Sequence, residues 1–212
     1  NRGFAILGDR LYMGTLDAHL VALDRKTGAV IWDVAVGDLK KANAITAAPL
    51  VVKNKVIIGV AGGDFSSRGY IDAYDAQTGE RAWRFNTIPN PGEPGSESWP
   101  NPDVAARGGA AVWVTGSYDP DLNLLYYGTG NPNPDYYGDD RAGDNLYSCS
   151  LLAIDADTGT LRWQVWSSQR SRRFAPAPRR FNLQARNPNS SSAKGASAWC
   201  ASSARRPVMR TP

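Results

Sequence analysis

Ala22-Leu-Asp-Arg-Lys-Thr-Gly-Ala-Val-Ile-Trp32 occurs again as Ala73-Tyr-Asp-Ala-Gln-Thr-Gly-Glu-Arg-Ala-Trp83, and a third time as Ala153-Ile-Asp-Ala-Asp-Thr-Gly-Thr-Leu-Arg-Trp163. The shared form is A-x-D-x-x-T-G-x-x-x-W. A string that returns at fixed offsets marks an array of like units. The first two copies begin 51 residues apart and the next two 80 apart, so the longer interval must hold an inserted loop.

Each copy reads as strand, tight turn, strand. Leu20-Val-Ala-Leu23 is apolar and rich in strand formers, and Val30-Ile-Trp32 opens the return strand. Between them, Asp24 to Gly28 is turn chemistry. Asp and Thr bond nearby backbone amides, and glycine accepts a positive φ. A tryptophan at a set distance past the turn is large enough to pack between units, and its indole N–H needs a partner there. Ala48 to Val52 and Lys55 to Gly59 add two strands, joined by Lys53-Asn54. Four strands in roughly 50 residues is the scale of a β-propeller blade. The expected fold is therefore all-β, about three blades of a propeller. A β-sandwich with look-alike hairpins is the competing architecture, and repetition at the same offsets argues against it.

Charge divides the chain in two. Residues 1–165 hold 14 Lys+Arg and 20 Asp+Glu, a balance of −6; residues 166–212 hold 10 Lys+Arg and no acid, a balance of +10. The second stretch is built from Arg, Ala, Ser, Pro and Asn, with few large apolar groups to offset ordering entropy, so it reads as a disordered tail. Its composition is equally that of GC-rich DNA translated out of frame. A basic arm for nucleic acid is the functional alternative. After Trp166 only Phe174, Phe181 and Trp199 interleave it and no recognised motif is present, so no nucleic-acid partner is expected. The chain has no initiator Met, no signal peptide and no apolar run long enough to span a bilayer. It is expected to be an internal piece of something longer, with membrane association only through parts outside it. Cys149 and Cys200 suggest neither a disulfide framework nor a metal site.

Common catalytic motifs fail. Gly128-Thr-Gly130 lacks the third glycine of a dinucleotide fingerprint, and Asp119-Pro-Asp121-Leu-Asn123 lacks the glycine and terminal glutamate of an EF-hand. The only histidine, His19, reads as a surface or packing residue. Two stretches are more informative. In Gly59-Val-Ala-Gly-Gly-Asp64-Phe-Ser-Ser-Arg68-Gly69, small residues let a flat ligand approach the backbone, and Asp64 suits a hard cation; a glycine-rich loop with a solvated Asp fits as well. In Tyr126-Tyr-Gly-Thr-Gly-Asn131-Pro-Asn-Pro134, the Asn131 amide oxygen can join a calcium site, although an ordinary Gly/Asn/Pro turn is the commoner meaning.

Taken together in order, several segments resemble the pyrroloquinoline-quinone (PQQ)-dependent alcohol dehydrogenases. They are Asn1-Arg-Gly3, Ile45-Thr-Ala-Ala-Pro49, Gly62-Gly-Asp64 with Arg68-Gly69, Pro91 to Trp99, Trp113 to Pro120, Gly128-Thr-Gly-Asn-Pro132 and Gly143-Asp-Asn-Leu-Tyr147. The resemblance covers about residues 1–165, and Pro91 to Trp99 is closer to the ethanol or broad alcohol type than to the methanol type. It implies an eight-bladed propeller in the periplasm, a PQQ cofactor near its axis, and calcium beside it, with a lanthanide as the other option. It implies a primary alcohol as substrate, an aldehyde as product, and a cytochrome c or quinone as electron acceptor. By position, Arg2, Thr46, Ala61, Gly62, Gly63 and Trp113 would hold the cofactor, and Asp64 and Asn131 the metal. Asp64 stands where the family usually has Glu, and Ala111 where some members have Thr. The family's adjacent-cysteine disulfide ring is absent here. The catalytic aspartate should follow soon after Trp163; the chain instead reads Gln164-Val-Trp-Ser-Ser-Gln-Arg170 and has no acid beyond Asp157. No catalytic residue is therefore assigned, and the expectation is a dehydrogenase fragment incomplete for catalysis. A non-catalytic propeller scaffold of the outer-membrane assembly type shares the tryptophan repeats and is the alternative.

Overall fold

In the computed structural model, residues 1–166 are described and form one compact unit. The readings made above for 167–212 lie outside the described residues. Three antiparallel four-stranded sheets follow one another along the chain. The first is β1 (Ala5–Leu7), β2 (Arg10–Gly14), β3 (His19–Asp24) and β4 (Val30–Ala35). The second is β5 (Leu50–Val52), β6 (Lys55–Gly59), β7 (Tyr70–Asp75) and β8 (Arg81–Asn86). The third is β9 (Ser117–Asp119), β10 (Leu124–Gly128), β11 (Ser150–Asp155) and β12 (Leu161–Trp166). In each sheet, strands adjacent in sequence are paired, as in a propeller blade. One short helix, α1 (Pro102–Ala106), lies between β8 and β9.

The repeat string forms the same turn three times. Asp24 Oδ1 accepts from the amides of Lys26 and Thr27 at 3.0 and 2.8 Å; Asp75 Oδ1 accepts from Gln77 and Thr78 at 2.8 and 2.9 Å; Asp155 Oδ1 accepts from Asp157 and Thr158, both at 3.0 Å. Gly28, Gly79 and Gly159 close the turns with φ of 74°, 76° and 73°, where a side chain would be strained. In all three sheets the strand register shifts just after the alanine that opens the string.

Packing between blades explains the tryptophan. Trp32 Nε1 donates to the Ala76 carbonyl of the second blade at 3.3 Å, and Trp83 Nε1 donates to the Ala156 carbonyl of the third at 3.2 Å. Each indole lies against the next blade's turn glycine: a Cβ on Gly79 would come within 2.9 Å of Trp32, and one on Gly159 within 2.7 Å of Trp83. The core follows the period-2 alternation of a strand. Val56, Ile58, Tyr70 and Tyr74 of the second blade pack with Tyr12, Leu20 and Ala22 of the first. Ile57, Ile71 and Ala73 face the other way, towards Leu125, Leu152 and Ile154 of the third. The central strands of the middle blade are thus buried on both faces and read as nearly continuous apolar runs. One polar side chain interrupts them. Asp72 is fully buried, and its carboxylate accepts from Arg84 Nε and Nη2, both at 2.6 Å, and from the Tyr74 hydroxyl at 2.9 Å.

The expected single insertion in the 80-residue interval is in fact two segments. The connection from β8 to β9 runs over residues 87–116, and that from β10 to β11 over residues 129–149. His19 lies on the surface, 2.7 Å from Asp33. Asp119 caps an ordinary turn, its Oδ1 accepting from the Asp121 and Leu122 amides. Cys149 is a buried free thiol.

Candidate functional site

Topology decides where chemistry can gather. In an antiparallel four-stranded blade, the first and third turns fall at one end. The second loop and the crossing to the next blade fall at the other. The repeat turns β3–β4, β7–β8 and β11–β12 occupy the first end. The sequence-predicted site residues all belong to the second. Arg2 precedes β1, Thr46 lies in the β4–β5 crossing, Ala61 to Asp64 in the β6–β7 loop, Trp113 in the β8–β9 crossing and Asn131 in the β10–β11 loop.

Two groups form there. In the first, the Arg2 guanidinium lies 5.3 Å from the centre of the Trp113 ring, and Arg2 Nη1 donates to the Trp113 carbonyl at 3.3 Å. Thr46 Oγ1 donates to the same carbonyl at 3.3 Å, and the Arg2 amide donates to the Thr46 carbonyl at 2.9 Å. A cation at an indole face gains a modest electrostatic attraction. Three segments far apart in sequence therefore meet at Trp113, which is half-buried.

The second group joins the two middle loops. Gly109 bridges them, pairing with Arg68 on one side and Pro132 on the other. Asn133 Nδ2 donates to Ser66 Oγ at 3.0 Å. Asp64 sits exposed at the start of a short 3-10 turn, Gly63–Phe65. Asn131 Nδ2 donates to Asp135 Oδ1. Burial, then the neighbouring Asp64 carboxylate within hydrogen-bond reach, raises the Asp135 carboxyl above its ordinary range. Asp135 was missed from sequence; its signal was its place four residues after Asn131 in a proline-stiffened turn. Arg141 braces the same loop, donating to the Pro134 carbonyl at 3.0 Å and to Asn145 Oδ1 at 2.9 Å.

Ala111 links the groups. Its carbonyl accepts from the Gly130 amide at 2.8 Å, and a Cβ on Gly63 would lie 3.0 Å from its methyl group. A Cβ on Gly130 would stand 3.5 Å from Trp113 Nε1. Gly62 has a separate reason to be glycine: φ is +106°, and a Cβ would meet the Ala42 carbonyl oxygen at 2.0 Å. Glycine at 62 is thus required by backbone packing, whatever else approaches it, and a side chain at 63 would press on the Ala111 methyl group. The donor set of Asp64, Asn131 and Asp135 consists of hard oxygens, the chemistry of a calcium-like ion rather than of a soft metal. Among the described residues, no cluster of three or more His, Cys, Asp or Glu side chains is arranged to hold a metal ion.

The architecture is that of a propeller segment whose variable end gathers an indole, a guanidinium and hard oxygen donors. Residues 7–169 match the family described as "PQQ: Glucose/ethanol/alcohol dehydrogenase, beta-propeller domain", and the chain belongs to that family. It is 48% identical over 179 residues to the quinohemoprotein alcohol dehydrogenase ADH IIB of Pseudomonas putida, covering 77% of this chain and 25% of that protein. It is 41% identical over 181 residues to a lanthanide-dependent methanol dehydrogenase of Methylacidiphilum fumariolicum, covering 77% of this chain and 30% of that one. A solved europium-containing methanol dehydrogenase superposes with a TM-score of 0.75 at 38% identity, over 79% of this chain and 32% of its own. The chain thus spans about a quarter to a third of the length of these relatives.

Proposed function

We propose that this chain carries one wall of the cofactor and cation site of a PQQ-dependent alcohol dehydrogenase that oxidises primary alcohols to aldehydes in the periplasm. The observation that carries the reading is the meeting of Arg2, Thr46 and Trp113 beside the Asp64 and Asn131 loops at one end of the blades. The residues present fit the group. Trp113 offers a flat indole floor for a planar ring. Arg2 is placed to pair with a carboxylate at its edge. Thr46 offers a hydroxyl, and Asp64 and Asn131 offer oxygens to calcium or a lanthanide. Bound at such a site, the quinone supplies a carbonyl carbon that accepts hydride and the cation supplies Lewis acidity.

The alcohol proton must go to a base. No acid follows Asp157 in the sequence, so the chain by itself is expected to bind cofactor and cation yet turn over alcohol poorly. Electrons would pass on to a cytochrome c or quinone. To test the reading, PQQ and Ca²⁺ are titrated together into the full chain while indole fluorescence is followed, with Trp113→Leu as control. Saturable quenching that the control loses supports it. A chain that binds neither PQQ nor Ca²⁺ is a scaffold, and the proposal is then wrong.

A further inference from the structure

We infer that Asp135 is a second carboxylate of the cation site and the residue that orients Asn131 within it; this rests on the cofactor-site reading above. Asn131 can present either its amide oxygen or its amide nitrogen to a neighbour, and only the oxygen can bind a cation. Its nitrogen is committed to the Asp135 carboxylate, which leaves the oxygen to face the ion. Asp135 therefore selects the useful face of Asn131.

Asp64 reaches the same place from the loop of another blade. The approach is enforced from both sides. Asn133, two residues before Asp135, is bonded to Ser66, two residues after Asp64. Gly109 pairs with both strands of chain, at Arg68 and at Pro132. Arg141 grips the backbone carbonyl of Pro134 immediately before the carboxylate. Two carboxylates held together by this much covalent and hydrogen-bonded framework repel unless a proton or a cation lies between them. A hard cation supplies that charge and gains oxygen donors from Asp64, Asn131 and Asp135 at once.

Charge gives the inference a specific signature. Removing one negative charge next to an ion weakens a trivalent ion more than a divalent one, because the Coulomb energy scales with the ion's charge. A merely structural role would weaken both alike. The experiment uses the full chain with PQQ present. Tb³⁺ binding is read from terbium luminescence excited through tryptophan, and Ca²⁺ binding from competition. Asp135→Asn, which keeps the shape of the side chain, is expected to weaken Tb³⁺ by at least about ten-fold and Ca²⁺ by less, with Asp135→Glu restoring part of the loss. An unchanged Tb³⁺ affinity in Asp135→Asn, with binding lost in Asp64→Asn, would overturn the inference and leave the cofactor-site reading intact. Equal losses for both ions together with a lowered unfolding midpoint would assign Asp135 a structural role and overturn it too. Absence of Tb³⁺ and Ca²⁺ binding in the parent chain would overturn both readings.

Discussion

The two ends of the blades are built to different rules. At one end the turns after the first and third strands hold two to five residues in every blade, and three of them repeat the same bonds between Asp, Thr and Gly. At the other end the connections run from four residues, 15–18, to thirty, 87–116. The constant end serves stability: the repeat turns of the second and third blades each receive the tryptophan of the blade before, so changing their length would undo a packing contact. The variable end is released from that duty. It can differ in every blade, and all the residues read as a site are found there. Substitutions at the constant end should therefore cost stability with little direct effect on ligands, and substitutions at the variable end the reverse.

The largest stability effect is expected where a tryptophan is docked. Trp83→Ala removes an indole packed on Gly159 and hydrogen-bonded to Ala156, and should cost about 3 kcal/mol, the low end for an aromatic truncation because the ring is only half-buried. Trp163→Ala is the control. That ring is 36% exposed and has the side of Tyr126 for company, so its loss should cost about 1 kcal/mol. Urea unfolding of both variants checks the ranking, and equal costs would break the contrast between docked and undocked indoles.

Next come the turn glycines, which share one φ but not one environment. Gly28→Ala meets open space and should cost about 1 kcal/mol for the left-handed backbone alone. Gly159→Ala adds a clash with Trp83 and should cost about 2–4 kcal/mol. If thermal unfolding shows the two equal, the indole yields freely and the docking is looser than described.

Smaller again is the acid sensitivity of the turns. The Arg162 guanidinium, with help from Thr158, holds the Asp155 carboxyl down at about 2, below the ordinary value for an unfolded chain. A carboxylate with a depressed folded pKa stabilises the fold above its unfolded pKa and loses that contribution as pH falls towards the folded one. The Asp155 contribution should be level from neutral pH to about 4 and then be lost towards pH 2, roughly 1–2 kcal/mol in all. Asp155→Asn should lower stability at neutral pH and make the acid slope shallower. An unchanged slope would remove Asp155 from the account.

How much of this was legible from sequence follows the same division. The blades were readable because strands alternate with period two and the turn string repeats, so Leu20 to Leu23, Val30 to Trp32 and Lys55 to Gly59 fall where they were expected. The partners of Trp32 and Trp83 were not readable, since a backbone carbonyl leaves no mark on residue type. The 80-residue interval was seen as one insertion because Ser117 to Asp119 is too short a strand to announce itself between the two long loops. At the variable end, Arg2, Thr46 and Trp113 could be placed only by resemblance, because their contact depends on three segments brought together by blade packing. Asp135 lay beyond that reach: it is an unremarkable acid until the fold sets it against Asn131 and Asp64.

The central claim is that the variable end holds a planar quinone on Trp113 beside a hard cation at Asp64 and Asn131. The most direct test is a titration of PQQ with Ca²⁺ into the parent chain, Trp113→Leu and Asp64→Asn, following indole fluorescence and the unfolding midpoint together. The account predicts saturable binding in the parent, a loss of at least about ten-fold in each variant, and unliganded midpoints that fall by less than in Trp83→Ala. Binding that survives both substitutions unchanged would contradict it.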